Sequence, residues 1–293
     1  MVVTILLQNT VNGLAIGAIF AMIAMGFSFQ FATTKVFNAA YGCNYLIAAY
    51  SYIAVVRAVG GPFGVVLAIA VAAVITSAFS VFSAILVYDR MRARSRGFYA
   101  VFLTSFGLLI ITQNALAIPF GSQTELLGTE LLQGPNIGAI SISYCAILAV
   151  SCAIAVALGL GVFFFRSTPG MQLRAMADDD ALVEVLDLPL SRYRKIVFAI
   201  SGLVAVPPAI LGTYLQGVSP STGTDILTIA MAATIVGGVG SIVGAASAAL
   251  ILGLAENIAV WQLPGTWAEP VAFGLFFILI TLKPNGISGR GWA

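Results

Sequence analysis

The chain has 293 residues, of which 60% are hydrophobic and only 8% are charged, and its formal net charge is +2. In soluble proteins about a quarter of the residues are charged, so this composition excludes an ordinary soluble fold and predicts a polytopic membrane protein. The sequence contains no histidine, which excludes histidine-dependent catalysis and most zinc chemistry. The small net charge gives no indication of nucleic-acid binding.

The apolar residues form near-continuous runs rich in Ala, Gly, Leu and Ile, which predict helices. A membrane β-barrel would instead show segments of about ten residues with alternating hydrophobicity. We therefore predict an all-α, polytopic transmembrane helical bundle of about 8–10 segments with interrupted helices, forming a single domain over residues 1–293. The predicted segments are 8–31, 36–56, 64–88, 97–118, 141–165, 196–216, 226–240, 243–260 and 268–282.

Three of the apolar regions are interrupted. Pro207 and Pro208 remove two backbone donors from the run 196–216 and predict a break or kink in that helix. The glycine-rich stretch 237–241 (GGVGS) divides another region into two short pieces, and polar residues in 35–44 stand at the mouth of an apolar helix. Irregular backbone at membrane depth survives only where protein buries it or where it lines a wet cavity, so these interruptions point to a binding or translocation region.

The distribution of charge orients the predicted segments. The basic run 89–96 (DRMRARSR), the charged stretch 166–195 and the basic C-terminus are predicted to be cytoplasmic, because cytoplasmic loops carry an excess of Lys and Arg. The loop 119–140 contains two glutamates and no basic residue, so it is predicted to face outside. Asp225 and Glu269 then fall on outward connections, and nine crossings place the N-terminus outside.

Polar side chains within or beside the spans are the candidates for a transport pathway. Asn38, Tyr41 and Asn44 cluster where a helix begins and leaves backbone donors free to meet a ligand, and Asn12 lies in the first segment. The alternative is that such amides hold helices together, a contact worth about 0.6 kcal/mol on average in membranes. Glu256 lies at the end of a span. An outward interfacial position is favoured for it, because a carboxylate at mid-bilayer costs about 2.5–3.5 kcal/mol.

The stretch 166–195 holds 10 of the chain's 24 charged residues and lies between two uncharged apolar runs. Thr168 is predicted to cap a short helix that Pro169 opens. A second short helix after Asp178, ending before Pro189, shows an apolar surface with no membrane around it. Either a soluble partner covers that surface, or the loop folds onto its own membrane domain. The candidate contact residues are Arg174, Asp178, Asp179, Leu182, Val183, Glu184 and Leu186.

Five pieces of sequence, in order along nearly the whole chain, resemble the permease subunits of bacterial ABC importers for branched-chain amino acids. That family also includes urea and short-amide permeases. The pieces are 13–22 (GLAIGAIFAM), 37–42 (FNAAYG), 173–179 (LRAMADD), 237–245 (GGVGSIVGA) and 283–290 (KPNGISGR). Two departures stand out. The family usually has Asn-Phe-Ala-His-Gly where this chain has NAAYG at 38–42, and Leu-Gly-Ile where it has LDL at 186–188.

The resemblance implies a function shared with other subunits. Permeases of this family work in pairs of related or identical chains, which form a common path across the bacterial cytoplasmic (inner) membrane. Two cytoplasmic ATPase subunits, which hold ATP and Mg²⁺, drive the pair through a coupling helix, here about 178–188 within the coupling loop 166–195. An external solute-binding protein delivers the solute. No cofactor, metal or catalytic residue is implied for this chain, and the phosphate-binding pattern GxxxxGK[ST] does not occur in it.

Two other classes of protein compete with this interpretation. A secondary transporter or channel needs no ATPase, but it would be expected to carry ionisable residues within the membrane for ion coupling, and these are nearly absent. An intramembrane enzyme would need a catalytic constellation, and the sequence offers neither histidine nor a metal cluster nor a convincing acid pair. Co-purification with an ATP-hydrolysing partner would distinguish the importer from both.

Overall fold

A computed structural model of the chain describes residues 2–35, 37–90, 98–137, 140–178, 190–259, 261, 264, 267–283 and 286–287. Most of these residues are helical, which confirms the predicted all-α bundle. The helices are α1 (Val2–Thr34), α2 (Tyr41–Val59), α3 (Gly61–Ser83), α4 (Phe98–Phe120), α5 (Tyr144–Arg166), α6 (Thr168–Asp178), α7 (Leu190–Val204), α8 (Val206–Leu215), α9 (Thr222–Gly237), α10 (Ile242–Ala259) and α11 (Ala268–Leu282). A π-helical turn (Ala84–Asp89) follows α3, and a 3₁₀ turn (Thr129–Leu132) precedes a small antiparallel hairpin of β1 (Asn136–Ile137) and β2 (Ile140–Ser141).

Seven helical stretches in the described part of the chain are long and apolar enough to cross a membrane. They are Thr4–Thr34, Tyr41–Val59, Gly61–Val87, Tyr99–Phe120, Tyr144–Arg166, Ser191–Leu215 and Ile242–Ala259. Two shorter apolar helices, Thr222–Gly237 and Pro270–Leu282, match the remaining predicted segments at 226–240 and 268–282. The chain is therefore a multi-pass membrane protein, as its composition predicts.

The outer helices turn large apolar side chains away from the protein. Phe63 and Val74 on α3, Leu103 and Ile118 on α4, and Phe277 on α11 are all highly exposed. In water such a surface would be very unfavourable, whereas lipid tails accept it without cost. These helices therefore form the perimeter of the bundle that meets the bilayer.

Helix α1 forms the centre of the bundle. All its residues from 17 to 34 are buried, and it packs most extensively against α10. The two helices run antiparallel, because Gly13 lies against Leu254 while Gly17 lies against Leu250. A Cβ atom added to Gly253 would lie 2.4 Å from the Gly17 Cα atom, so only glycine fits at this crossing.

The two predicted breaks in the second half of the chain are confirmed. Helix α7 ends at Val204, and Pro207 lies in the first turn of α8, where a missing N–H leaves no hydrogen bond unmade. The second break is a turn between α9 and α10 in which Gly238 and Gly240 have φ of 105° and 93°. Such angles favour glycine, and the Ser241 hydroxyl then caps α10 by accepting from the Gly244 N–H at 3.0 Å.

The second membrane helix begins later than predicted. The apolar run suggests a start at residue 36, whereas α2 begins at Tyr41. The Asn38 carbonyl accepts from the Tyr41 N–H at 3.1 Å, and its side-chain Oδ1 accepts from the Ala40 N–H at 3.1 Å. These local bonds hold 38–40 in a turn, because an asparagine side chain competes with helical backbone bonding.

Contacts between distant segments divide the bundle into two ends. At one end the Gln8 side chain forms two hydrogen bonds with the backbone of Ser141, at 2.9 and 3.0 Å, and Arg57 forms an ion pair with Glu125. At the other end the Ile287 N–H donates to the Val236 carbonyl at 2.8 Å. The grouping agrees with the charge-based scheme, in which 119–140 and the N-terminus share one side and the C-terminus lies on the opposite side.

Candidate functional site

The predicted pathway residues at the start of α2 lie inside the bundle. Asn38, Tyr41 and Asn44 are all buried. Asn38 forms the turn that precedes α2, and the neighbouring Ala39 N–H donates to the Ser105 hydroxyl of α4 at 3.0 Å. This start of α2 is therefore fixed to α4 by polar contacts within the protein.

Asn44 connects three helices. Its Nδ2 donates to the Ser80 hydroxyl of α3 at 3.2 Å, and that hydroxyl donates to the Phe198 carbonyl of α7 at 2.6 Å. Within the described residues, Asn44 Oδ1 and the Tyr41 hydroxyl have no hydrogen-bond partner. A Cβ atom at Gly26 of α1 would lie 2.2 Å from that hydroxyl, so the glycine makes room for the tyrosine. The geometry is that of interhelical packing in this conformation, and a role in the solute path stays a prediction.

Asn12 lies apart from the other three residues. It is exposed on α1, and its Oδ1 accepts from Gln8 Nε2 at 3.2 Å. The Tyr41 hydroxyl approaches Gly26, which is about 21 Å further along α1 at 1.5 Å per residue. The structure therefore does not bring the four predicted residues into one site.

The structure describes only the first part of the predicted coupling region. Arg174 and Asp178 belong to α6, while Asp179, Leu182, Val183, Glu184 and Leu186 lie outside the described residues. The predicted cap at Thr168 is wrong by one position. The Ser167 hydroxyl accepts from the Gly170 N–H at 3.0 Å, and Thr168 is the first helical residue. Ser167 takes this role because its backbone is extended, with φ of −91° and ψ of 144°, as a cap residue requires.

Helix α6 is attached to the membrane domain by its apolar side. Leu173 is fully buried, and α6 contacts both α5 and the end of α1. Nearby, the Phe29 ring of α1 meets the Phe164 ring of α5 edge to face, with centroids 5.2 Å apart. Helix α6 is therefore packed directly against the central helix of the bundle.

A cavity of about 610 Å³ opens near the opposite end of the bundle. Its wall is formed by α1, the segment that follows α8, α9, α10 and α11, with Thr124 from the segment that follows α4. The lining residues are Phe20, Thr124, Gln216, Gly217, Ser219, Thr222, Asp225, Ile226, Thr228, Ile229, Ala232, Leu252, Glu256, Ala272, Phe273 and Phe276. The volume lies within the range of about 300–1,000 Å³ that is typical of small-molecule sites.

The cavity wall has a charged part and an apolar part. Asp225 comes from the first turn of α9 and Glu256 from the last turn of α10, so two carboxylates face one space. Leu252, Phe273 and Phe276 supply apolar surface from α10 and α11. No Lys or Arg is among the described residues that line the cavity. The described lining therefore combines two acidic side chains with an apolar surface.

Two backbone segments meet beside the mouth of this cavity. The Glu125 N–H donates to the Val218 carbonyl at 2.8 Å, and the Val218 N–H donates to the Glu125 carbonyl at 2.9 Å. Thr124 and Gly217, the residues just before them, line the cavity. Since Arg57 also forms an ion pair with Glu125, the end of α2 holds this pair of segments in place.

The carboxylates are the part of this arrangement that the sequence interpretation missed. Asp225 was expected on an outward connection and Glu256 at an outward interface, each taken separately. Their shared position depends on the antiparallel approach of α9 and α10 around the glycine turn. The signal present in the sequence is that both acids stand at the same predicted end of neighbouring apolar runs.

Comparison of the sequence with known proteins identifies the family of this membrane protein. The family model for the permease component of branched-chain amino acid transport systems matches residues 9–281. The high-affinity branched-chain amino acid transport system permease protein BraD of Pseudomonas aeruginosa is 31% identical over 297 residues, covering 97% of this chain and 96% of that protein. The corresponding protein LivH of Escherichia coli K12 is 28% identical with the same coverage.

A more distant similarity covers about half of the chain. The xylose transport system permease protein XylH of Haemophilus influenzae is 29% identical over 141 residues, covering 45% of this chain and 38% of that protein. BraD, LivH of Escherichia coli and LivH of Salmonella typhimurium, each a branched-chain amino acid permease, match over 97% of this chain. The chain therefore belongs to the family of permease components of branched-chain amino acid transport systems.

Proposed function

We propose that the chain is the membrane-spanning permease subunit of an ATP-driven importer that carries branched-chain amino acids across the cytoplasmic membrane. The observation that carries this proposal is the family match over residues 9–281, together with full-length similarity to permeases named for that transport. Seven helices suited to crossing a membrane and two shorter apolar helices support it. The chain forms a path and carries out no covalent chemistry.

The proposed complex contains several other subunits. A second permease chain, identical or related, completes the path, and two ABC ATPases bind ATP and Mg²⁺ on the cytoplasmic side. An extracytoplasmic binding protein delivers the solute to the opposite side. Because ATP binds to the partner subunits, we expect the permease chain itself to need no cofactor.

The mechanism begins at the coupling loop 166–195. Closure of the ATPases moves this loop, and α6 transmits the movement because Leu173 anchors it against α1 and α5. Helix α1 then connects this end with the cavity, to which it contributes Phe20. The ATPases thus favour one of two states of the bundle, open to the inside or to the outside.

Reconstitution tests the proposal directly. The chain is purified with its partner permease and ATPases, placed in lipid vesicles and supplied with binding protein and radiolabelled L-leucine. We expect leucine uptake that requires ATP, and no uptake of xylose, since the matches over nearly the whole chain are to branched-chain amino acid permeases. Leucine uptake by the permease pair without ATPases would instead favour a secondary transporter or channel.

A further inference from the structure

A second cavity, a groove of about 410 Å³, opens on the lipid-facing side of the bundle between α3 and α5. Its floor is the break between α7 and α8, since α3 packs against α7 and α5 packs against α8. The described residues that line it are all apolar and include Ile69 of α3, Phe163 of α5, and Leu203 and Pro207 at the break. Ile69 is 45% exposed and Leu203 is 51% exposed, so the groove is open to the bilayer.

The depth of the groove fits one hydrocarbon chain of a lipid. Its lining on α5 begins at Val156, and this helix ends at Arg166. The axial distance between these two residues is about 15 Å at 1.5 Å per residue. Because the hydrocarbon core of a bilayer is about 30 Å thick, the groove extends from the predicted cytoplasmic interface to the midplane. One acyl chain of the cytoplasmic leaflet covers the same depth.

A basic side chain lies at the predicted cytoplasmic end of the groove. Val156, Leu160 and Phe163 line the groove from one face of α5, and Arg166 continues that face three positions after Phe163. Arg166 is exposed, and it forms no ion pair within the described part of the chain. A guanidinium group binds phosphate through charge-assisted hydrogen bonds, often two at once. The groove therefore ends at a group that matches the headgroup phosphate of a phospholipid.

We propose that this groove binds one anionic phospholipid of the cytoplasmic leaflet, with an acyl chain against Leu203 and Pro207 and the phosphate at Arg166. The chain fills space that the protein's side chains leave open, and the dispersion contacts along the groove hold it in place. A zwitterionic lipid makes the same apolar contacts, but its own cationic group competes with Arg166 for the phosphate. The preference for an anionic lipid therefore comes from Arg166, and it is independent of the solute that is carried.

Photo-crosslinking in vesicles of defined composition tests this site. The photoreactive amino acid p-benzoylphenylalanine replaces Leu203 in the assembled complex. The vesicles consist of phosphatidylcholine with a small fraction of either phosphatidylglycerol or phosphatidylcholine that carries a radiolabelled phosphate, and all lipids have the same acyl chains. The same replacement at Leu158 reports on the surrounding bilayer, because Leu158 is 65% exposed on α5 and lies outside the groove lining.

The measured quantity is the ratio of phosphatidylglycerol label to phosphatidylcholine label on this chain. We expect this ratio to be about fivefold higher at Leu203 than at Leu158, the preference that one basic residue near the membrane surface gives. Ile69 on the opposite wall is a second reporter position with the same expected ratio. It keeps the test decisive if the complex with the replaced Leu203 does not assemble.

Charge variants identify the group that binds the phosphate. Arg166→Gln removes the guanidinium group, and we expect the ratio at Leu203 to fall to the ratio at Leu158. Arg90→Gln is the matched control, because Arg90 is an exposed basic residue of the predicted cytoplasmic run 89–96 and lies outside the groove lining. We expect that variant to keep the fivefold preference at Leu203.

Equal label ratios at Leu203 and Leu158 would show that only the ordinary surrounding lipid reaches the groove, and they would overturn the inference. A preference that survives Arg166→Gln would overturn the assignment of the phosphate to Arg166. Crosslinking of Leu203 to the second permease chain, with no lipid label, would also overturn the inference, since that chain then covers the groove. Leucine uptake is measured separately, so a complex without ATP-dependent uptake would contradict the proposed function and leave the lipid result standing.

Discussion

At the scale of single residues, the polar side chains around the start of α2 form hydrogen bonds with other groups of the protein. The Asn38 side chain stabilises the turn that precedes α2 by accepting a hydrogen bond from the Ala40 N–H. Asn44 joins α2 to α3 and α7 through Ser80. In a bilayer such bonds are retained because lipid offers no replacement partner. A solute that passes here therefore has to displace them or follow a rearrangement of the helices.

The side chain of Asn38 is the most direct test of that possibility. We expect Asn38→Leu to lower leucine uptake per assembled complex several-fold, and by more than it lowers the yield of complex, because the buried acceptor for the Ala40 N–H is lost. Asn114→Leu on α4 is a matched control, since Asn114 is exposed and, among the described residues, donates within its own helix to the Ile110 carbonyl. Normal uptake by a normally expressed Asn38→Leu variant would leave Asn38 a packing residue.

At the scale of helices, the crossing of α1 and α10 sets the geometry of the bundle. Gly17 and Gly253 allow the two backbones to touch, and neighbouring residues of the same two helices contribute Phe20 and Leu252 to the cavity. The shape of the cavity therefore depends on how closely α1 and α10 approach.

This dependence predicts a large effect for a small substitution. Gly253→Ala adds one methyl group where the Gly17 Cα atom would be 2.4 Å away, so the helices must separate, at a cost of about 1–3 kcal/mol. We expect a lower melting temperature of the purified complex and weaker leucine uptake. Gly159→Ala on α5 is the matched control, because nothing lies within 4 Å of its added methyl group. Equal melting temperatures for the two variants would refute the close contact.

The predicted coupling loop 166–195 can be tested by substitutions at its predicted apolar surface. Leu182→Asp and Leu186→Asp, which lie outside the described residues, are expected to prevent coupling to the ATPases while the membrane domain still folds. An unpaired carboxylate buried in an interface costs about 3–5 kcal/mol. Glu184→Ala is expected to have a milder effect, because a charge at the rim mainly tunes association.

The measurements are ATPase co-purification and solute-stimulated ATP hydrolysis in reconstituted vesicles. Normal ATPase binding and normal transport by both aspartate variants would show that this loop is not the coupling surface. The basic loop 89–96 would then be the next candidate.

At the scale of the whole molecule, the arrangement of the two ends predicts the membrane orientation. A single cysteine at position 130, in a background without the three native cysteines, is expected to react with an impermeant reagent added from outside. A cysteine at position 92 is expected to react only from the cytoplasmic side, because basic loops remain inside. Labelling of position 130 from the cytoplasm alone would reverse the orientation.

The sequence predicts the helices well because each membrane span carries its own signal. A run of about twenty apolar residues predicts a membrane span, and two adjacent prolines or a glycine-rich turn predict a break in it. Each of these effects depends only on neighbouring residues, so it can be predicted without knowledge of the fold. The start of α2 at Tyr41 was missed because one asparagine forms a turn within an apolar run. The sequence places Asp225 and Glu256 at the same predicted end of neighbouring apolar runs, but it does not specify the helix packing that brings both of them to one cavity.

The backbone contact between α1 and α10 also limits how the transporter can move. Two helices that touch at Gly17 and Gly253 cannot slide past each other, because any shift brings a larger side chain into a space that accepts only hydrogen. We therefore expect α1 and α10 to move together in the proposed transport cycle. Helix α11 forms another wall of the cavity and is largely exposed on its outer face. If the bundle alternates between two states as proposed, we therefore expect the width of the cavity to change by movement of α11 relative to the α1–α10 pair.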